Sequence, residues 1–300
     1  MYYFTIRDIE NLCDIKAHTL RVWEQRYDFF KPKRKESQHR LYDNEDLKQL
    51  LRISFLYHKG WKVSRIAQLS PEQIRTEVEK IQETKSSFEY YINQLLEYSI
   101  DFNKEGFAQG LQHVIDSIGF EATIEKVAYP LLNKIGLLWM TNHVIPAQEH
   151  FCSYMIQHKI IAETDKLPLA PAGAPQVVLF CPHGEYHELP LHYIHYLFRK
   201  WGWTTFYLGS NVKLDILKPF VQNEKVEFLF LYLITNFTGF TVDDYFEKLC
   251  KAFPHKKIIA SGRAVFASQR NFVNLSILKT DEAIHQFIKE KNASKVLDNL

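Results

Sequence analysis

His187 is the residue of this 300-residue chain best placed to do chemistry. It lies in Gly184-Glu-Tyr-His-Glu-Leu, just after an apolar stretch, 176–181, that reads as a strand. Loops at the carboxyl ends of strands are where open α/β sheets bind ligands. An imidazole there can ligate a metal, and Glu185 can accept from its second nitrogen and orient the ring. The residues alone leave an ordinary loop histidine as the other reading. His183, His192 and His195 read as surface residues or polar members of a helix face. Cys13, Cys152, Cys181 and Cys250 are far apart and form no Cys-x-x-Cys pair, so reduced thiols without a disulfide or zinc role are expected. No nucleophile–base triad, metalloprotease helix or Walker-type loop is present, and no enzyme activity is expected.

The elements that must position His187 follow a linker, 167–176, dominated by Pro, Ala and Gly. Beyond it, strands at 176–181, 204–208, 228–233 and 257–261 alternate with helices at 189–200, 214–223 and 242–252. That alternation predicts a Rossmann-like domain, 175–300, with a parallel sheet. Upstream, Phe88, Tyr91, Ile92, Leu95 and Leu96 recur at helical spacing, and further helices read near 104–118, 121–138 and from Ala147. Four helices joined by short links predict a bundle over 78–168. The fold class is therefore α+β and multidomain.

The net charge of +2 conceals an asymmetry: residues 1–75 are basic, and the remainder is acidic. A basic end suits a module that meets a polyanion, although a solvated basic face would look the same. In that end Thr5 can cap a short helix with Ile6, Ile9 and Leu12 on its inner face. A turn at 13–16 leads to a second helix carrying His18, Arg21, Arg26 and Tyr27. Two short helices about a tight turn can place the second in a major groove. The stretch from Lys31 to Tyr42 reads as two short arms about a polar tip, a basic wing against phosphates. Asp43 or Asn44 then caps another helix, and Trp23 reads as core.

His-Thr-Leu-Arg-Val-Trp-Glu-Gln-Arg-Tyr at 18–27, then Pro32, Arg40-Leu-Tyr42 and Asp46-Leu47, resembles the N-terminal winged helix-turn-helix of the MerR family of regulators. The resemblance covers about the first 75 residues. It implies binding of double-stranded DNA through Arg21 and Tyr27 on the recognition helix and Arg34, Arg40 and Tyr42 on the wing. His18 and Arg26 share that helix and are expected contacts too. Asp28 departs from the glycine usual there. Such proteins act as dimers on paired half-sites. No long coiled-coil helix follows the module here, so another domain must supply the partner contact and the signal.

A helical bundle followed by a Rossmann-like domain with Glu-x-His after its first strand is similar to cobalamin-binding modules. That resemblance implies His187 as the lower ligand of cobalt, with Glu185 beside it. Trp139 followed by Glu149-His150 resembles the light-sensing, cobalamin-dependent members of the MerR family. There the tryptophan and the Glu-His pair lie over the upper face of an adenosylcobalamin. Light breaks the cobalt–carbon bond, the histidine becomes the upper ligand, and the oligomer changes. The resemblance thus implies Trp139 as a shield, Glu149 as a contact and His150 as the light-state ligand; by the residues alone, Trp139 could equally be bundle core.

Three positions depart from the cobalamin pattern. Pro190 stands where a glycine is usual, Leu231 or Tyr232 where a serine is usual, and Ser261-Gly262 where two glycines are usual. By the resemblance, those elements make room for the nucleotide tail of the cofactor, and Ser261 and Gly262 are expected cofactor contacts. The implied function is a cytoplasmic transcription regulator, a repressor, whose assembly and DNA affinity follow a bound cobalamin and light. No membrane segment is expected. The alternative is a cofactor-independent MerR-type regulator whose degenerate cobalamin domain serves oligomerisation. A corrinoid-dependent methyl-transfer module is a third reading, disfavoured by the DNA-binding end.

Overall fold

A computed structural model describes residues 3–27, 33–34, 40–84, 88–140, 146–223, 226–235 and 241–298, the side chains of 33–34, 82–84, 137–140, 146, 223 and 291–298 excepted. The chain divides into two compact units, residues 1–156 and 157–300.

The first unit opens with strand β1 (Phe4–Thr5) and helix α1 (Ile6–Cys13). Thr5 and Asp8 cap α1 reciprocally, each side chain taking the other's backbone N–H. Asp14, at φ 51°, ends it in the left-handed region. The turn is pinned to the module behind: Ser54 Oγ donates to the Cys13 carbonyl at 2.9 Å, and His58 Nε2 lies 3.0 Å from the same oxygen. Helix α2 (Ala17–Arg26) buries Leu20 and Trp23. Strands β2 (Lys33–Arg34) and β3 (Arg40–Tyr42) form the arms of the wing, whose tip lies outside the described residues. The order β1-β3-β2 is antiparallel, with Phe4 opposite Tyr42 and Arg34 opposite Arg40. Helix α3 (Asn44–His58) is capped by Asp43, and α4 (Val63–Ile66) and α5 (Pro71–Thr84) complete the module.

The bundle comprises α6 (Phe88–Ile100), α7 (Lys104–Ile118), α8 (Phe120–Thr123) running into α9 (Tyr129–Met140), and α10 (Pro146–Asp165). Sequence periodicity reads one helix where α8 and α9 are joined by a π-helical turn, Ile124–Ala128. Pro130, at the start of α9, has no N–H to donate and disturbs an α-helical ladder at that point. The helix-turn-helix module is bolted to α6. Arg52 grips Glu97 with Nε and Nη2, and Lys48 Nζ pairs with Asp101 at 2.8 Å. Burial raises the Glu97 pKa even with Arg52 opposing it, as expected for an ion pair partly withdrawn from water.

The second unit holds a five-stranded, all-parallel sheet: β4 (Gln176–Pro182), β5 (Thr204–Val212), β6 (Phe228–Tyr232), β7 (Lys257–Ser261) and β8 (Leu275–Leu278). Its order is β5-β4-β6-β7-β8. Helices α11 (Leu189–Lys200), α12 (Leu214–Asn223), α13 (Val242–Ala252) and α14 (Asp281–Asp298) alternate with the strands. Counted within the sheet, the order is 2-1-3-4-5, so the chain switches direction between β4 and β6. Ligands of such sheets bind at that switch, beyond the carboxyl ends of the strands. β8 and α14 are absent from the sequence reading, and β5 runs four residues past its predicted end, through Gly209 at φ 77°.

Alternation along β6 divides the core. Leu229, Leu231 and Leu233 pack with Val178, Phe180, Phe246 and Leu249 on one face. On the other, Phe230 meets Phe198 of α11 at 5.6 Å, and Phe228 meets Trp203 and Phe287 at 5.1 and 5.9 Å. Tyr207 stacks with His192 and His195 of α11, centroids 4.8 and 5.0 Å away. These two histidines are packing members of a helix face rather than surface residues. Burial, helped by the charge of Arg199, lowers the His195 pKa from 6.5 to about 4. Between those values the unfolded chain binds a proton that the folded chain refuses, so folded stability falls with pH from 6.5 towards 4. The loss should approach about 3 kcal/mol. Urea unfolding at stepped pH should show it, with His195→Gln removing most of the slope in that window.

Candidate functional site

The switch point is occupied by Glu185 and His187. Glu185 is fully buried, at 0 % exposure. Its Oε1 accepts from the backbone N–H of His187 at 2.8 Å and lies 2.7 Å from His187 Nδ1. Its Oε2 accepts from the backbone N–H groups of Ile234 and Thr235, at 2.8 and 2.7 Å, and from Thr235 Oγ1 at 3.1 Å. Burial pushes the Glu185 pKa up, and these hydrogen bonds more than reverse the effect, leaving it at about 2. A charged carboxylate therefore ties the loop after β4 to the loop after β6, across the switch. Asn211, at the end of β5, holds the loop from the far side. Its Oδ1 accepts from Gly184 N at 3.0 Å, and its own N–H donates to the Glu185 carbonyl at 3.0 Å.

His187 is half exposed above this clamp, its side chain 52 % accessible. With Nδ1 held by Glu185, the nitrogen directed to a metal is Nε2. A single imidazole is too small a donor set for a bare ion, yet it suffices as axial ligand to a metal already held by an equatorial macrocycle. The donor chemistry of the site therefore fits a corrinoid cobalt. Thr235 was not singled out by sequence. Its signal was position, directly after the third strand in chain order.

Ser261 and Gly262, expected beside a cofactor tail, are used to close the strand ends. Ser261 Oγ donates to the Leu278 carbonyl at 2.8 Å. Gly262 has φ 102°, and a Cβ there would lie 2.4 Å from the Leu233 carbonyl oxygen. Its glycine is thus demanded by the neighbouring backbone. Pro190 lies in the first turn of α11, where its missing N–H has no helical acceptor to lose.

In the first unit, Glu149 and His150 project from the first turns of α10. Glu149 Oε2 lies 3.1 Å from His150 Nδ1, and the His150 side chain is 63 % exposed. The opposite side of the same turns is fixed: Gln148 donates to the Ile100 carbonyl at 3.2 Å, and Cys152 Sγ lies 3.3 Å from Ser99 Oγ. Trp139 is on α9, and its side chain lies outside the described residues. The cysteines are free thiols, and burial raises the pKa of Cys13 and Cys152 to about 12. No helix of the described residues is long and apolar enough to cross a membrane.

On the DNA-binding module, His18, Arg21 and Arg26 are exposed along α2, and Tyr27 is partly exposed at its end. The Arg34 side chain lies outside the described residues. One expectation for the wing needs correction. Tyr42 is fully buried, because its place opposite Phe4 in the small sheet turns its ring into the core, so it supports the wing and offers no surface to DNA. Arg40 is engaged by Glu24 of α2 and joins wing to recognition helix.

The family of MerR HTH regulatory proteins matches residues 4–73, and the B12 binding domain family matches residues 91–162, the α6–α10 bundle. The first match places a MerR-type helix-turn-helix module at the start of the chain, and the second places a B12-binding segment in the bundle that follows it. Among relatives, it is similar to the HTH-type transcriptional repressor CarA of Myxococcus xanthus, 29% identical over 216 residues, covering 71% of this chain and 70% of the relative. It is also similar to the HTH-type transcriptional repressor CarH of the same organism, 24% identical over 274 residues, 89% of this chain and 91% of the relative. The structure of the Methanosarcina barkeri monomethylamine corrinoid protein matches with TM-score 0.55 at 14% identity, over 68% of this chain and 100% of its own. That last likeness is one of fold.

The two members of the dyad should respond differently to truncation. Glu185→Ala strips a buried acceptor from several donors and should lower stability by about 3 kcal/mol or more. His187→Ala, at a half-exposed position, should change it by less than about 1 kcal/mol. Urea midpoints of the full chain measure both.

Proposed function

We propose that the protein is a cytoplasmic transcription repressor whose grip on double-stranded DNA is set by a bound cobalamin, with light as the signal. The observation that carries this reading is the clamped His187, at the ligand-binding end of the sheet in a chain that opens with a DNA-binding module. His187 Nε2 serves as the lower cobalt ligand, held in tautomer and direction by Glu185. A bound adenosylcobalamin supplies a cobalt–carbon bond that light can break. On this reading Trp139 would shield that upper group in the dark, Glu149 would contact it, and His150 would become the upper ligand after illumination. The exposure of His150 and its hydrogen-bonding neighbour Glu149 suit such a change of partner. DNA is met by His18, Arg21, Arg26 and Tyr27 on the recognition helix and Arg34 and Arg40 on the wing. The protein works as a homo-oligomer, because helix-turn-helix modules read paired half-sites. The cofactor must favour one assembly over another for light to change DNA affinity.

A second reading has an observation of its own. Pro190, Ser261 and Gly262 all have structural duties that need no cofactor, as they would in a regulator whose cobalamin domain serves only oligomerisation. One experiment separates the two. The full chain is incubated with adenosylcobalamin in the dark, desalted, and its absorption, oligomeric state and operator binding are recorded before and after green light. The sensor reading expects a retained corrinoid spectrum and a light-dependent change in all three. An unretained cofactor, or an unchanged assembly, leaves the second reading. Arg21→Ala should weaken DNA binding by about tenfold or more, as for loss of an arginine contact worth about 1–3 kcal/mol, and leave the spectrum unchanged.

A further inference from the structure

Cobalamin brings its own lower ligand, the benzimidazole of its nucleotide loop. If His187 takes the lower position, as the reading above holds, that base is displaced. The base, ribose and phosphate must then be lodged in the protein or left in water. The space around the strand ends decides which.

On the α11/α14 face, side chains fill the layer from the carboxyl ends of the strands down to Trp203, just before the start of β5. Cys181, Leu191, Phe198, Trp203 and Phe230 are each at 0–2 % exposure. The rings interlock, Phe198 against both Trp203 at 4.9 Å and Phe230 at 5.6 Å, and Trp203 Nε1 is held by the Ile288 carbonyl at 3.1 Å. By the alternation of β6, Tyr232 shares the face of Phe228 and Phe230 and stands nearest the carboxyl end. On the opposite face, Phe180, Leu231, Leu233, Val242 and Val265 fill the corresponding layer.

The gap between strands is closed as well. Leu233 N donates to the Ser261 carbonyl at 2.9 Å, and Ala264 N donates to the Leu233 carbonyl at 3.1 Å. Gly262 touches Leu233 so closely that not even a methyl group fits between them. Ser261 Oγ extends the closure to Leu278 of β8. Wedging a nucleotide into either layer would break these bonds and separate packed rings, at a cost native cores rarely bear.

We propose that this domain recognises a corrinoid by its ring and by His187 alone, and leaves the nucleotide loop in water. The ligand class is then corrinoids irrespective of their lower base, including those that lack one. The inference rests on the cofactor reading of His187, and the test keeps the two apart. The full chain is titrated in the dark with adenosylcobalamin and, separately, with adenosylcobinamide, which has no nucleotide. Binding is read by equilibrium dialysis and ligation by absorption. The expected result is that the two dissociation constants agree within about threefold, or that cobinamide binds more tightly, and that His187→Ala weakens both. Cobalamin bound about tenfold or more tightly than cobinamide, about 1.4 kcal/mol for the base, would overturn this proposal and leave the cofactor reading standing. If neither is retained, the cofactor reading falls, and this proposal falls with it.

Discussion

A single buried carboxylate organises the ligand-binding end of this protein. Glu185 has no access to water, yet hydrogen bonds from two loops keep it charged. An ionised carboxylate in that position is tolerable only while those donors remain in place. The requirement works in both directions. The donors fix the carboxylate, and the carboxylate fixes the loop after β4, the loop after β6 and the ring of His187. The direction of one imidazole nitrogen therefore depends on the register of strands that do not carry it. Asn211 extends the same dependence to the edge strand.

Much of this was legible in the sequence, for reasons that can be named. Helices 189–200, 214–223 and 242–252 carry strong apolar periodicity between turn residues, and they fall where periodicity puts them. Thr5 and Asp43 are caps because their side chains can bond the first turn, which is a local matter. What was missed depends on distant neighbours. Leu275–Leu278 is short and half-buried, and only pairing with β7 makes it a strand. β5 continues through Gly209, Ser210 and Asn211, residues that locally signal a turn, because β4 supplies a parallel partner. Tyr42 sits in a basic stretch and so reads as a DNA contact; the pairing with Phe4 takes it inside. Glu185 and His187 were found because their spacing is local, whereas Thr235 completes the site from fifty residues away and carries no local mark.

The glycine at 262 shows how one residue can satisfy two explanations. A glycine near a ligand site invites the idea of close approach by a cofactor. Here the approaching group is the Leu233 carbonyl. The position that the resemblance gives to the cofactor's nucleotide is thereby taken up by protein backbone, and on the proposal above the corrinoid would meet a platform with one projecting nitrogen rather than a deep slot.

The attachment of the helix-turn-helix to α6 through Arg52, Glu97, Lys48 and Asp101 has a geometric consequence. A recognition helix on a flexible tether can search for its groove, and then operators with varied gaps between half-sites are tolerated. A recognition helix in the same compact unit as the bundle has no such latitude. In the homo-oligomer proposed here, the symmetry relating one bundle to the next would be copied without slack to the recognition helices, and the distance between operator half-sites would become a ruler for the assembly that reads them.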